Sequence, residues 1–284
     1  MNDIRFFCLR GFMKSGTNWV GSLLSSHPEI SCVGEFHWEK IIRVFEETWS
    51  IEPIYLDPET GLREQAQLHL ETLIRRTLVD AAEAGARVVG DRTPHTIDPL
   101  PIPNTPQICV VRDGRDVLVS RAFHLYNYPA VAGLFQRIPA MAETLSKFKE
   151  DRWYFRDHPE KLLCHEELVR LSAKWWAEHL AKDRETIESQ SDLPVLTVRY
   201  EDLHADVAKQ RRRMFEFLEV DPDKGAEIDS ELSPGFEEER PDEFFRKGMV
   251  GDWENYFTDQ TKTWFNEEAG PTLIELGYTD SLDW

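Results

Sequence analysis

The segment with the clearest chemistry is RGFMKSGTNW, residues 10–19, which directly follows an apolar run at residues 4–9. The apolar run predicts a buried first strand, the glycines at 11 and 16 predict a tight turn, and the apolar positions from Trp19 onward predict a helix. The free backbone N–H groups of such a turn and the positive end of the helix point at one spot, and glycine lets the backbone approach an anion closely. The segment therefore predicts a phosphate-binding loop.

The position of the lysine separates this loop from that of an ordinary ATPase. The spacing from Gly11 to Gly16 matches a Walker loop, but Lys14 precedes the second glycine, whereas in the Walker sequence the lysine follows it. We expect the loop to hold phosphate without being a standard ATPase loop. Taken alone, the segment also fits a turn that happens to contain glycine, lysine and serine.

A second anion-binding segment is predicted where a later strand ends. The apolar run at residues 107–111 leads directly to Arg112, and Ser120 lies two helical turns further on. Both side chains can therefore face one phosphate from different sides, and an arginine fork suits a terminal phosphate dianion better than lysine does. The alternative is an Arg112 paired with Asp113 or Asp116 at the start of a helix.

The charge balance excludes some partners and makes a local basic site stand out. The chain has 52 acidic and 33 basic side chains and a net charge of −19. Such a surface repels nucleic acid and would bind a polyanionic polysaccharide poorly, although acidity also simply favours solubility. The basic side chains that fall in motif-like segments are Lys14, Arg92, Arg112, Arg115, Arg246 and Lys247.

Targeting and cysteine patterns predict a soluble cytoplasmic protein. The amino terminus lacks a basic region followed by a long apolar stretch, and no window is apolar enough to span a membrane, so no membrane partner is expected. The four cysteines, at 8, 32, 109 and 164, show no close metal-type spacing. We expect reduced thiols and no metal.

The segment KSGTNW resembles the 5′-phosphosulfate loop, usually PKSGTTW, of the sulfotransferases that use 3′-phosphoadenosine 5′-phosphosulfate (PAPS). Met13 stands in place of the usual proline and Asn18 in place of a threonine. The resemblance implies that Lys14 contacts the sulfate and the bridging oxygen, and that Trp19 contacts the adenine. The residues implied to contact the 5′-phosphate are Ser15, Gly16, Thr17 and Asn18.

Two further segments strengthen this resemblance. Arg112 and Ser120 keep the spacing of the family's 3′-phosphate segment VxRxxRDVxxS, and residues 246–253, RKGMVGDW, match its RKGxxGDW signature. By the resemblance, Arg246, Lys247 and Gly248 close over the 3′-phosphate. Tyr200, in the family-like sequence RYEDL, is implied to lie beside the adenine.

The resemblance leaves two candidates for the catalytic base. Glu35 follows an HPEI turn, as the catalytic glutamate does in the tyrosylprotein and heparan sulfate branches. His95 lies in DRTPH, where the small-molecule enzymes have Lys-Thr-His, but it stands one residue late, with Pro94 in the histidine position and Arg92 in the lysine position. Glu35 is the preferred base, and Arg92 is implied to approach the sulfate.

These motifs must converge on one nucleotide, so the sequence predicts a single α/β domain over residues 1–284. Strands followed by helices indicate a central, mainly parallel sheet flanked by helices, in a P-loop-like fold by the resemblance. Residues 62–84 read as one amphipathic helix whose inward face includes Leu62, Leu70, Leu73, Ile74 and Leu78. The aromatic-rich stretch 125–161 is either an acceptor pocket or ordinary packing.

The predicted reaction transfers a sulfuryl group from PAPS to a hydroxyl or amine of a small acceptor, without a metal. The net charge favours a neutral or cationic acceptor. The family's KxxxTVxxxE dimer motif is not retained, so that dimer mode is not expected. The alternatives are a small-molecule kinase and a nucleotide-binding protein without turnover.

Overall fold

Five short strands form one sheet in the part of the chain that the structure describes. The computed structural model describes residues 4–50, 61–97, 100–129, 137–230, 232–233, 235, 239–241 and 246–284. The strands are β1 (Arg5–Gly11), β2 (Ile30–Val33), β3 (Val88–Arg92), β4 (Gln107–Val111) and β5 (Val195–Arg199). Their order is β2-β3-β1-β4-β5, and every neighbouring pair runs parallel.

Helices follow most of the strands, as the sequence pattern predicts. They are α1 (Thr17–Ser25), α2 (Trp38–Ser50), α3 (Leu62–Ala81), α4 (Gly114–Asn127), α5 (Met141–Glu150), α6 (Tyr154–Asp157), α7 (Glu166–Ser189), α8 (Tyr200–Ala205), α9 (Val207–Phe217) and α10 (Asp259–Glu275). Single 3₁₀ turns span Pro159–Lys161, Pro222–Lys224 and Asp252–Asn255.

Both faces of the sheet are covered, because alternate residues of β1 point to opposite sides. Phe7 and Leu9 pack in a cluster with residues of α1 and α9. Phe6 and Cys8 pack in a separate cluster with residues of α2 and α3. The predicted parallel sheet flanked by helices is therefore confirmed.

The predicted helix at residues 62–84 is α3, but it buries a narrower face than the sequence suggests. Leu70, Ile74 and Leu78 are buried, at the spacing of one helical stripe. Leu62 and Leu73 are 41% and 51% exposed, so their placement on the inward face is wrong. The helix ends at Ala81, because Ala82 is already extended.

β1 is the central strand of the sheet, and the later strands are added first on one side of it and then on the other. After β1 the chain forms β2 and β3 on one side, and then β4 and β5 on the other. In open parallel sheets, the crevice beyond the carboxyl ends of the strands at such a point is where ligands bind. The loops that follow β1, β3 and β4 carry most of the residues that the sequence singles out.

Candidate active site

The turn between β1 and α1 has the backbone of an anion-binding loop. Three of its residues have positive φ, namely Gly11 at 149°, Lys14 at 71° and Gly16 at 99°. No side chain caps α1, whose N-cap is Gly16 in the left-handed conformation. The first N–H groups of a helix have no acceptor within the helix, so they are available to a bound anion.

Glycine is required at position 16 by contact as well as by conformation. A Cβ atom built on Gly16 would lie only 2.6 Å from Cδ2 of Tyr200. Tyr200 begins α8 directly after β5, and its hydroxyl donates a hydrogen bond to the Gly248 carbonyl at 3.0 Å. The ring of Trp19 meets that of Tyr200 edge to face, 5.5 Å between centres. The tyrosine thus links the phosphate loop to the RKGMVGDW segment.

Arg112 connects the same parts of the chain from the end of β4. One guanidinium nitrogen donates to the Lys14 carbonyl at 3.2 Å, and the other donates to the Met249 carbonyl at 2.8 Å. The carbon of the guanidinium lies 4.1 Å from the centre of the Tyr200 ring. The alternative predicted for Arg112, an ion pair with Asp116, is also present at 3.9 Å. Arg112 is therefore a buried cation in contact with both of the predicted phosphate-binding segments.

Positive charge is concentrated around Lys14 despite the acidity of the chain. Burial lowers the pKa of Lys14 to about 8, and the charges of Arg112 and Arg246 contribute to the same shift. Burial, together with the charges of Lys14 and Arg121, lowers the pKa of His124 to about 4, so that this imidazole is neutral near pH 7. Like charges held this close are stabilised when an anion binds between them. His124 has no assigned role in the sequence patterns.

The RKGMVGDW segment is held by carboxylates. Arg246 forms ion pairs with Glu239 and Asp252, and the Lys247 ammonium lies 2.7 Å from Asp252. Gly248 has a positive φ of 64°. These contacts bring both cations of the segment into one compact, charge-paired cluster.

One face of α4 points toward these cations. Ser120 is partly buried, one turn after Asp116 and one turn before His124. Residues four apart lie on the same side of a helix. Ser120 therefore lies on the same face of α4 as Asp116, which contacts Arg112, and His124, whose pKa is lowered in part by the charge of Lys14.

Arg92 lies at the end of β3 beside the segment that carries Glu35. A Cβ atom on Gly21 would lie 3.1 Å from Cδ of Arg92, and one on Gly34 would lie 3.7 Å from its Nη2. The Nε atom of Arg92 is buried and has no hydrogen-bond partner among the described residues. The guanidinium group thus lies next to the backbone that precedes Glu35.

Glu35 belongs to a small carboxylate and imidazole cluster. Its Oε2 lies 3.8 Å from Nε2 of His37, and Nδ1 of His37 lies 3.0 Å from Oε1 of Glu39. His37 has a positive φ of 54°, directly before α2. The side chains of Glu35 and His37 are both 41% exposed to solvent.

His95 lies in a loop that is held at both ends. Its carbonyl accepts a hydrogen bond from the Gly11 N–H at 3.2 Å, and its Nδ1 lies 3.2 Å from the Thr96 hydroxyl. Two residues after His95, Ile97 donates its backbone N–H to Asp183 of α7 at 2.6 Å. The backbone of His95 therefore lies beside the end of β1, near the start of the phosphate loop.

A buried ion pair that the motifs do not indicate ties the ends of β1 and β3 together. Arg10 lies 2.7 Å from Asp91, and both side chains are at most 4% exposed. Thr93 donates its hydroxyl to the same carboxylate at 3.1 Å. The signal in the sequence is a pair of charged residues at the ends of apolar strand runs, which does not reveal that the two meet.

None of the described helices is long and apolar enough to cross a membrane. The described residues also contain no cluster of three or more His, Cys, Asp or Glu side chains arranged to hold a metal. Of the predicted acceptor stretch 125–161, residues 130–136 lie outside the described part of the chain.

Residues 7–275 of the chain match a protein family described as the sulfotransferase domain. Rat sulfotransferase 1E1 is 25% identical over 192 residues, which covers 56% of this chain and about half, 52%, of that relative. Mouse sulfotransferase SULT7A1 complexed with PAP superposes with a TM-score of 0.49 at 20% identity, covering 95% of this chain and 84% of that one. A sulfotransferase from Alicyclobacillus acidocaldarius gives a TM-score of 0.42 at 17% identity, with 96% of each chain covered.

Proposed function

The chain belongs to the sulfotransferase domain family, and from this premise we propose that it moves the sulfuryl group of PAPS to a hydroxyl or amine of a small acceptor. One observation carries the proposal beyond the family match. Lys14, Arg112 and Arg246 are close enough that the two arginines help to lower the pKa of the lysine. A compact group of three cations beside a glycine loop suits a nucleotide with more than one phosphate or sulfate group.

Two groups of described residues support this proposal, one for each end of the donor. The loop from Lys14 to Trp19 offers an uncapped helix start for the 5′-phosphosulfate. Arg112 and Ser120 of the β4–α4 region, with Arg246, Lys247 and Gly248, are the groups proposed to hold the 3′-phosphate. Trp19 and Tyr200, whose rings are already in contact, are proposed to border the adenine.

In the proposed reaction, the acceptor oxygen or nitrogen forms a bond to sulfur while the bond from sulfur to the bridging oxygen of the donor breaks. The electron pair of that bond leaves with adenosine 3′,5′-bisphosphate (PAP), and the proton of the acceptor passes to Glu35. Lys14 and Arg92 stabilise the charge that develops on the transferring group and on the leaving phosphate.

Glu35 is the proposed base, and His95 is the alternative. The position of Glu35 supports its role, because the Arg92 guanidinium lies near the backbone of Gly34 and the Glu35 carboxylate is partly exposed. His95 lies in a loop that is held by hydrogen bonds, and its Nδ1 is 3.2 Å from the Thr96 hydroxyl. The carboxylates of Glu35 and Glu39 also favour a neutral or cationic acceptor over an anionic one.

The cytoplasmic location and the single domain over residues 1–284 remain parts of this proposal. All four cysteines are free thiols, which fits a reducing compartment. Burial raises the pKa of the Cys8 and Cys109 thiols, so neither is suited to act as a nucleophile.

A transfer assay tests the proposed function. The protein is incubated with sulfur-labelled PAPS and a panel of hydroxyl- and amine-bearing small molecules, and the acceptor-dependent release of PAP is followed. We expect label to move to at least one acceptor, and Lys14→Ala to lose the activity while Lys209→Ala, on the exposed surface of α9, keeps it. Phosphate transfer from ATP to an acceptor, with no sulfuryl transfer from PAPS, would instead identify a kinase.

A further inference from the structure

Asp116 uses both of its carboxylate oxygens on the backbone of the RKGMVGDW segment. Oδ2 accepts a hydrogen bond from the Gly251 N–H at 2.8 Å, and Oδ1 accepts one from the Trp253 N–H at 2.9 Å. The residue lies in the first turn of α4 and is only 2% exposed. A buried carboxylate with both oxygens bonded fixes the position of the backbone that it holds.

These two bonds also determine where the cations of the segment lie. Asp252, between the two bonded residues, is the shared partner of Arg246 and Lys247. Gly251 has a positive φ of 79° and directly precedes the 3₁₀ turn Asp252–Asn255. Holding Gly251 and Trp253 in place therefore holds Asp252, and through it the two cations.

The same carboxylate reaches the other cation proposed to bind the 3′-phosphate. Oδ2 of Asp116 lies 3.9 Å from a guanidinium nitrogen of Arg112, and that nitrogen also donates to the Met249 carbonyl. Asp116 thus contacts both Arg112 and the backbone of the RKGMVGDW segment, as the Tyr200 side chain also does. Burial raises the pKa of Asp116 to about 6, which shows that the native fold keeps this carboxylate at a site unfavourable to its charge.

We infer that Asp116 is a positioning residue for the 3′-phosphate: without contacting the nucleotide, it holds Arg112 and the Arg246–Trp253 segment in the arrangement that binds this phosphate. The inference rests on the proposed use of a 3′-phosphorylated donor. It predicts that loss of Asp116 affects the recognition of the 3′-phosphate and not the binding of the rest of the nucleotide.

Calorimetric titration with PAP and with adenosine 5′-monophosphate (AMP), which lacks the 3′-phosphate, tests this inference. Asp116→Asn cannot accept both backbone N–H groups, because its amide nitrogen is itself a donor. We expect the variant to bind PAP about 10- to 100-fold more weakly, the range for losing hydrogen bonds to a charged group, and to bind AMP nearly as the wild type does.

Asp183→Asn is the matched control. Asp183 is buried to a similar extent and also accepts a backbone N–H, that of Ile97, but it lies on α7 beside a different loop. This variant should keep the wild-type ratio of PAP to AMP affinity. Equal weakening of both nucleotides by Asp116→Asn, or unchanged PAP binding, would overturn the inference alone. A wild type that binds PAP no better than AMP would overturn the proposed function as well.

Amide hydrogen exchange of the wild type provides a test that does not depend on a variant folding. The Gly251 and Trp253 amides should exchange slowly in the free protein, and PAP should slow them further than AMP does. Exchange at the rate of an unstructured chain, or equal protection by the two nucleotides, would contradict the role given to Asp116.

Discussion

The guanidinium of Arg112 donates a hydrogen bond to the main-chain carbonyl of Lys14 at 3.2 Å, which joins the end of β4 to the phosphate loop after β1. The side chains of Arg112 and Lys14 also interact electrostatically. Burial lowers the pKa of Lys14 to about 8, and the charges of Arg112 and Arg246 contribute to this shift. The proposed sites for the two ends of the donor are therefore parts of one cation cluster.

The lowered pKa of Lys14 predicts an alkaline limit for donor binding. As the pH rises through about 8, the free protein loses the Lys14 proton, so its affinity for an anionic nucleotide should fall. PAP affinity measured from pH 6.5 to pH 9.5 should show this decline in the wild type. Lys14→Arg should bind with little change over the same range, because arginine stays charged. An identical decline in Lys14→Arg would assign the effect to another group.

Gly16→Ala should damage both the fold and the phosphate loop. The new Cβ would lie 2.6 Å from Tyr200 in a residue with a φ of 99°. We expect the free energy of unfolding to fall by about 1–2 kcal/mol for the backbone strain and by about 1–3 kcal/mol more for the overpacking. Gly85→Ala is the control, since Gly85 also has a positive φ but no atom within 4 Å of the added Cβ. Chemical denaturation should give a larger loss for Gly16→Ala, and equal losses would show that the Tyr200 contact is unimportant.

Arg10→Ala should destabilise the protein strongly. It leaves Asp91 buried without its charge partner, a change that typically costs about 3–5 kcal/mol. Arg5→Ala removes an ion pair with Glu219 whose members are 46% and 81% exposed, and it should cost about 1 kcal/mol or less. Urea denaturation of the two variants measures the difference. A small effect of Arg10→Ala would mean that Asp91 finds another partner or is neutral.

Much of the fold could be predicted because its signals are local. The predicted strand at residues 107–111 is β4 residue for residue, and the predicted helix 62–84 is α3, which begins at the predicted residue and ends three residues early. The helix α2 was not predicted, although Trp38, Ile42 and Phe45 recur at helical spacing and pack in the core. The charged residues of α2 separate the members of that stripe, so the stripe does not stand out in the sequence.

The candidate site was predictable where a motif carries it, and not where distant segments meet. The phosphate loop and the RKGMVGDW segment are visible in the sequence because glycines and cations stand at characteristic spacings. The contacts of Asp116 with Gly251 and of Arg10 with Asp91 join residues far apart in the chain. Nothing in the local pattern around either acid indicates its partner, because register and crossing of elements decide such contacts.

The choice of base leads to a kinetic prediction. Glu35→Gln should bind PAPS normally but transfer the sulfuryl group about a hundred- to ten-thousand-fold more slowly, the usual effect of losing a general base. Glu39→Gln makes the same chemical change four residues away and should retain turnover, as should His95→Ala. Single-turnover rates with folded, donor-bound variants decide between them. Normal turnover in Glu35→Gln with a large loss in His95→Ala would move the role to His95.

The central claim, that the cation cluster of Lys14, Arg112 and Arg246 is a site for a donor with a 3′-phosphate, is tested most directly by calorimetry with PAP, AMP and ATP. We predict that the wild type binds PAP at least about tenfold more tightly than either AMP or ATP, and that Arg246→Ala removes most of this preference while leaving AMP binding nearly unchanged. Arg213→Ala, at an exposed position on α9, should bind all three nucleotides as the wild type does. Tighter binding of ATP than of PAP, or an equal loss of all three nucleotides in Arg246→Ala, would contradict the account.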